Sequence, residues 1–280
     1  MKSSRTSSSR IHPLAHVLPW LYAVLLVIPL YYLLVSAFKP NTAIFNEPFA
    51  LPTSLSFQQF ADAWNNVQIG SGMSNSAFVT VSAEVLTLAL AIPASFALAR
   101  STGRLAVWVE RFFALGFLVP SFAALVPTVL LAVQLNLFQT RTMLILLLPA
   151  TALPLSVILL TQFMRTVPPE LEESAMMDGA NLWTILTRVY APLIVPGIVT
   201  VAILNFLSFW NEYLYSLILI GPDPSIRTVQ VALPNLISQT NTQYGILLAG
   251  ALITMIPVYV VYIVLQRRVE DAMLQGAVKA

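Results

Sequence analysis

The 280-residue sequence has no cysteine, two histidines and few charges of either sign. Without cysteine there are no disulfides and no thiolate-bound metals, and the redox compartment cannot be read. His12 precedes the first apolar run and His16 stands at its very start, where a soluble flanking position accounts for them without a metal. Charged residues make up 9% of the chain, against about a quarter in globular domains, so a normal solvated surface is out of reach. The net charge of +2 arises from basic residues scattered largely at segment ends, which does not argue for nucleic acid. No G-x-x-x-x-G-K-[ST] phosphate loop is present, so the chain is not expected to hydrolyse ATP itself. H-E-x-x-H, G-x-S-x-G and G-x-G-x-x-G are missing too, and Glu170–Glu173 lacks the repeated aspartates or histidines of a metal cluster.

What the chain has instead is apolar sequence: 58% hydrophobic residues and a mean hydropathy of +0.80. A bilayer core of about 30 Å needs about 20 apolar residues per helix, so five or six such segments use most of the length. The expected class is an all-α polytopic membrane protein. Spans are read at about 14–35, 75–99, 107–135, 143–163, 193–220 and 244–265, between a cytoplasmic tail at 1–13 and another at 266–280. The polar, basic head MKSSRTSSSR resembles the start of a signal peptide. The run Leu14–Val35 is too long for a signal core and no A-x-A site follows, so it is read as a retained first span. Prolines 120, 127, 149 and 154 fall inside spans three and four, where neighbouring helices can re-satisfy the freed carbonyls. They read equally as kinks suited to a moving pathway or as ordinary transmembrane prolines.

Orientation follows from lysine and arginine placement. With both termini in the cytoplasm, eleven of the fourteen basic residues lie inside, and Lys39, Arg141 and Arg227 lie outside. This puts Pro168–Pro192 in the cytoplasm, as the only long polar-rich interval between apolar segments. Pro168 and Pro169 suit a helix start. Glu170, Glu172 and Glu173 offset the helix dipole there by about 0.3–1 kcal/mol each. Ser174 and Ala175 let another surface approach closely, and Gly179 suits a left-handed helix end. Asn181 suits the cap of a second helix. Leu182, Ile185, Leu186 and Val189 form an apolar stripe on it, expected to lie along the membrane interface. A plain cytoplasmic loop is the simpler alternative, but two short capped helices are more order than a linker requires.

The segment ESAMMDGA (173–180), followed by Val189-Tyr190-Ala191-Pro192, resembles the E-A-A … D-G-A … I-x-L-P pattern of permease subunits of ABC importers. Ser174, Val189 and Ala191 depart from that pattern while keeping small or apolar character. SAFKP (36–40), Asn75-Ser76, ALAR (97–100), FMRTVPPELEE (163–173), FWNEYLYSL (209–217) and QGAVKA (275–280) extend the resemblance over nearly the whole chain, to the MalG-type permeases of carbohydrate importers. The resemblance implies the type I importer permease fold, with six transmembrane helices and a cytoplasmic coupling helix. It makes Glu172, Glu173, Ser174, Ala175, Met176, Met177, Asp178, Gly179 and Ala180 the contact with a separate ABC ATPase dimer, which binds the ATP and magnesium. It further implies a second permease subunit, preferably a different chain, and an extracytoplasmic sugar-binding protein. No cofactor is expected on this chain.

Polar residues at membrane depth are costly and face a cavity or a partner. Glu84 in span two reads either as a structural pair with another helix or as part of the pathway. Asn205, Ser208, Trp210, Asn211, Glu212 and Tyr215 in span five combine amides, a carboxylate and aromatic faces, the chemistry a sugar needs. Trp and Tyr serve equally as interfacial anchors. The expected function is a non-catalytic transport subunit in a bacterial inner membrane, forming half of a pore for a di- or oligosaccharide. Glycerol phosphate or another polyol is the alternative cargo, and a stand-alone membrane enzyme or channel is the alternative class.

Overall fold

The computed structural model describes residues 14–236 and 243–277, which excludes the expected tail at 1–13 and the last three residues of the tail at 266–280. Among the described residues every regular element is helical. The chain forms two compact units, Met1–Ala63 with Leu236–Ile253, and Trp64–Asn235 with Thr254–Ala280.

In the first unit, α1 (Leu14–Ser36) is an apolar helix that exposes Trp20, Leu21, Val24 and Val27. It is followed by α2 (Asn41–Asn46) and a turn-rich stretch. Lys39 is buried, and its ammonium donates to the carbonyls of Glu47 at 2.8 Å and Pro48 at 3.4 Å. The Tyr31 hydroxyl donates to the Phe49 carbonyl at 2.9 Å. Phe45 meets Tyr244 edge-on at 5.0 Å, where α14 (Tyr244–Ala277) starts.

The second unit is organised by two long helices, α4 (Ile69–Arg100) and α7 (Arg141–Arg165). Ahead of α4 comes the short amphipathic α3 (Gln58–Asn66). At 1.5 Å per residue, the 32 residues of α4 reach about 48 Å, longer than a bilayer core. Lipid supplies no hydrophobic drive for one helix to leave it for another, so close backbone approach has to hold membrane helices together. The buried face of α4 meets that need with small residues: Gly72, Ser76, Thr80, Ala83, Thr87, Ala91 and Ser95, spaced three or four apart. Ser95 donates across to the Val157 carbonyl of α7 at 3.1 Å. A Cβ on Gly197 of α11 (Val195–Trp210) would fall 2.4 Å from Phe163 Cγ of α7, so that glycine sets their separation.

The span expected at 107–135 is two helices, α5 (Arg104–Gly116) and α6 (Ser121–Gln134), too short to count as membrane-crossing by length and composition. Pro120, with ψ near 131°, has no N–H for a helical bond, and a proline disfavours helical geometry in the residue before it. The α5 helix is charged as well. Glu110 accepts both ends of the Arg165 guanidinium, at 3.1 and 2.9 Å, pinning α5 to the end of α7. The span expected at 193–220 is broken too. The stretch 182–193 meets α11 at 78°, and Asn211–Tyr213 separates α11 from α12 (Leu214–Leu219). Among the described residues four helices have the length and apolarity to cross a membrane, and five if the bent pair counts as one crossing.

Candidate functional site

The interval between α7 and α11 folds as α8 (Pro169–Met177), α9 (Leu182–Thr184), a π-helical turn (Ile185–Tyr190) and α10 (Ala191–Leu193), the last three running end to end. Gly179 adopts φ +82°, and a left-handed residue closes α8 in a Schellman arrangement. The Ala180 N–H donates to the Ala175 carbonyl at 2.9 Å and the Gly179 N–H to that of Met176 at 3.0 Å. Asn181 Oδ1 accepts from the Thr184 N–H at 2.9 Å and its hydroxyl at 3.0 Å, capping the second helix.

The nine residues assigned to ATPase contact divide between two faces. Glu173, Ser174, Met176, Met177, Asp178 and Gly179 are exposed, and nothing stands within 4 Å of where a Gly179 Cβ would be. Ala175 and Ala180 are half-buried and pack on an apolar cluster that includes Phe96, Leu160, Met164, Ile185 and Leu186. Ile185 and Leu186 are therefore protein core, not a stripe along the membrane interface; Leu182 and Trp183 keep the exposed side.

Glu172 also turns inward. It pairs with Arg100, the last residue of α4, and accepts a 2.7 Å hydrogen bond from the Tyr190 hydroxyl. Arg100 lies 4.9 Å over the Phe96 ring, and Phe96 meets Tyr190 edge-on at 5.0 Å. Burial, with the Glu172 carboxylate as hydrogen-bond partner, pushes the Tyr190 phenol up to about 12. One carboxylate thus ties the start of α8 to the end of α4 and to the π-helical turn.

A polar layer lies deeper, between that cluster and a second one built on Val79, Ala83, Leu144, Leu148 and Phe209. Asn205 of α11 is buried and donates to Ser156 Oγ of α7 at 3.1 Å. Glu84 of α4 neighbours the Asn205 side chain, and neither of its buried carboxylate oxygens makes a hydrogen bond of ordinary geometry.

The rest of the span-five set does not converge on a cavity. Trp210 is 3% exposed, with its indole N–H donating to the Thr254 carbonyl at 3.1 Å and its ring stacked on Phe206. Tyr215 is buried. Glu212 accepts from the N–H groups of Tyr215 and Ser216 at 2.7 and 2.8 Å and from the Ser216 hydroxyl at 2.7 Å. That makes it the cap of α12. Ser208 and Asn211 are exposed, and Asn211 accepts from the Gln230 amide at 3.4 Å.

At the other end of α4, Asn75 and Ser76 hold the segment 225–229. Asn75 donates to the carbonyls of Ser225 and Arg227, both at 3.1 Å, and accepts from Arg141 at 2.9 Å. Ser76 Oγ accepts from the Val229 N–H at 2.9 Å.

Residues 91–275, which carry both the α8–Gly179 segment and Asn205, match the model of one protein family. The chain belongs to the binding-protein-dependent transport system inner membrane components. This permease is 34% identical to the diacetylchitobiose uptake system permease protein NgcG of Streptomyces coelicolor, over 98% of this chain and 91% of that one. It is 28% identical to the melibiose/raffinose/stachyose import permease protein MelC of Bacillus subtilis, over the full length of both. In fold it resembles a chain of a bacterial ABC transporter involved in alginate import, with a TM-score of 0.79 at 24% identity, covering 95% of this chain and 99% of that one. Family and apolar helices together make it a multi-pass inner-membrane protein.

Three residues at the centre of the node around Glu172 carry no functional signal in the sequence. Arg100 is one of the basic residues at a segment end and closes ALAR, Tyr190 stands between Val189 and Ala191 in the importer pattern, and Phe96 belongs to no motif. Arg100 could have been suspected as a lone cation closing a long apolar run. Nothing in the pattern pairs it with Glu172, 72 residues on.

Proposed function

We propose that this permease forms half of the translocation pathway of a carbohydrate importer, moved by a separate ATP-hydrolysing dimer. The observation that carries the reading is the two-faced α8–Gly179 segment. One face is exposed and combines two acids, two methionines and the small Ser174 and Gly179, suited to a partner; the other is tied through Glu172 to the end of a long membrane helix. A pull on such a segment must be felt by α4 and by the π-helical turn entering α11. The ATPase dimer binds ATP and magnesium; this chain contributes no catalytic group. An extracytoplasmic binding protein delivers the substrate, and a second permease, a different chain, completes the pore. Six crossings with both termini in the cytoplasm follow if α6, with its flanks, supplies the third.

The cargo class is inferred from the relatives, whose names include diacetylchitobiose and melibiose, raffinose and stachyose. What these have in common is a di- or oligosaccharide. Glu84, Asn205 and Ser156 are the pathway candidates among the residues described, because Glu84 keeps uncommitted acceptors at membrane depth. Delivery shifts the equilibrium between inward- and outward-open states only through unequal affinity for them.

The test is uptake of labelled diacetylchitobiose and raffinose by cells carrying the importer, with Gly179→Trp as the perturbation. The open space around Gly179 admits the indole without a side-chain clash, at a backbone cost of about 1–2 kcal/mol for a side chain at φ +82°, while it obstructs a docking partner. Uptake should collapse with membrane insertion intact; unchanged uptake would refute the docking role. Transport of neither sugar by the native system, with a polyol accepted, would refute the cargo class.

A further inference from the structure

A groove of about 720 Å³ lies where the start of α4 meets the loop before α13 (Val229–Ala232), lined among others by Trp64, Asn65, Gln68, Ser71, Asp223 and Ser225. Its floor is rigid. Asn75 holds two carbonyls of the loop, and buried Arg227 donates to the Val67 carbonyl at 2.6 Å. The loop packs so closely on α4 that a Cβ on Gly72 would come within 3.1 Å of Val229 Cα. Against this floor the Trp64 indole lies on Gly70, where a Cβ would meet Cε2 and Cζ2 at 2.8 Å. That leaves the side chain 50% exposed.

The polar rim is only partly used by the protein itself. Asp223 Oδ1 accepts from the Ser225 N–H at 2.9 Å and its hydroxyl at 2.8 Å, while Oδ2 has no hydrogen bond among the described residues. Those bonds from Ser225 hold Asp223 below the usual carboxylate value, so it is charged at neutral pH. The Asn65 and Gln68 amides and the Trp64 indole N–H likewise make none among the described residues. Gln68 is held at φ +54°, a conformation that side-chain-bearing residues adopt at a cost and that recurs at ligand sites. An aromatic face beside two amides and a carboxylate matches the alternation of C–H faces and hydroxyls on a pyranose.

We infer that the Trp64 groove is a carbohydrate subsite at the non-cytoplasmic mouth of the permease, holding one sugar ring of the cargo before it enters the membrane. The inference rests on the carbohydrate reading above. It is separate from Glu84 and Asn205, and places the first contact outside the bilayer.

The test uses the assembled importer in lipid nanodiscs, with diacetylchitobiose and raffinose as probes and tryptophan fluorescence as readout. A saturable change should appear with at least one sugar, vanish in Trp64→Phe, and need at least tenfold more sugar in Gln68→Ala and in Asp223→Asn. The two polar variants keep the test alive if Trp64→Phe fails to assemble. Uptake that continues with no signal attributable to Trp64 would overturn the subsite and leave the transport reading standing. Strong quenching of Trp64 by brominated lipid would also overturn it, making the indole an interfacial anchor. Uptake of a non-sugar only would remove the carbohydrate reading and the subsite with it.

Discussion

Substituting Glu172 should separate ATP hydrolysis from transport. Its carboxylate is held by Arg100 and by the Tyr190 hydroxyl, and the side chains of the ion pair are 22% exposed for Arg100 and 13% for Glu172. An exposed pair contributes about 0.2–1 kcal/mol. Breaking a fully buried one costs about 3–5 kcal/mol, largely through the charge left behind. The Glu172 pair falls between these limits, because Arg100 keeps the Phe96 face and some solvent after Glu172 is gone. About 2 kcal/mol is the expected coupling energy, which is roughly a 30-fold change in how firmly α8 moves with α4 at about 1.4 kcal/mol per tenfold. Glu173 and Asp178, on the exposed face, are untouched, so the proposed ATPase contact should persist. The assay is sugar uptake per ATP hydrolysed by the reconstituted importer, for Glu172→Gln, Arg100→Glu and the exchanged pair Arg100→Glu with Glu172→Arg. Both single variants should hydrolyse ATP while uptake per ATP falls by up to about 30-fold, and the exchange should recover much of it. If both singles keep the native ratio, or if the exchange is no better than either single, Glu172 is not the link.

Glu212 serves α12 as a cap, so Glu212→Ala should lower the thermal stability of the detergent-solubilised permease by about 0.5–2 kcal/mol and leave the sugar concentration for half-maximal uptake unchanged. A large rise in that concentration without loss of stability would instead make Glu212 a substrate ligand. Gly197→Ala pushes a methyl into the Phe163 ring, and the overpacking should cost about 1–3 kcal/mol, read as a lower midpoint for heat-induced aggregation. Loss of the Asn205 side chain in Asn205→Leu leaves Ser156 without its donor; with membrane hydrogen bonds averaging about 0.6 kcal/mol, stability should barely move. A clear drop in uptake from that variant would therefore report a pathway role. Asp223 has its carboxyl held low, so the order it gives the loop is complete above the ordinary carboxylate value of 3.8 and fades as pH falls below it. Hydrogen exchange of the Ser225 amide should rise in acid in the native permease and be pH-flat, after correction for intrinsic exchange, in Asp223→Asn.

Much of the fold was legible because membrane spans are long, uniform signals. Helices begin or end within a few residues of the expected limits at 143–163 and near 244, and α4 extends the expected 75–99 span by six residues toward Ile69. The failures came where a polar or proline break sits inside an apolar run. A hydropathy window averages over Phe117–Pro120 and over Asn211–Tyr213, but the backbone cannot: each break needs its hydrogen bonds met locally, as Glu212 does for α12. The small-residue seam of α4, from Gly72 to Ser95, is legible by its spacing of three and four; its first residues lie under Val229 and its last meets α7.

The site divides along a similar line. Gly179 and Asn181 could be assigned from sequence because caps are local: a left-handed glycine and an asparagine three residues before its acceptor's donor define themselves. The inward turn of Glu172 could not, because it depends on Arg100 and Tyr190 arriving from two other elements. A glutamate beside the family motif looks like one more docking residue until those partners are in place. The distinction bears on mechanism. In the proposed coupling Glu173 and Asp178 would present charge to the ATPase, whereas Glu172 spends its charge inside the chain, joining α8 to the end of α4. Two adjacent glutamates in one helix therefore do different work, and a variant at one is no control for a variant at the other.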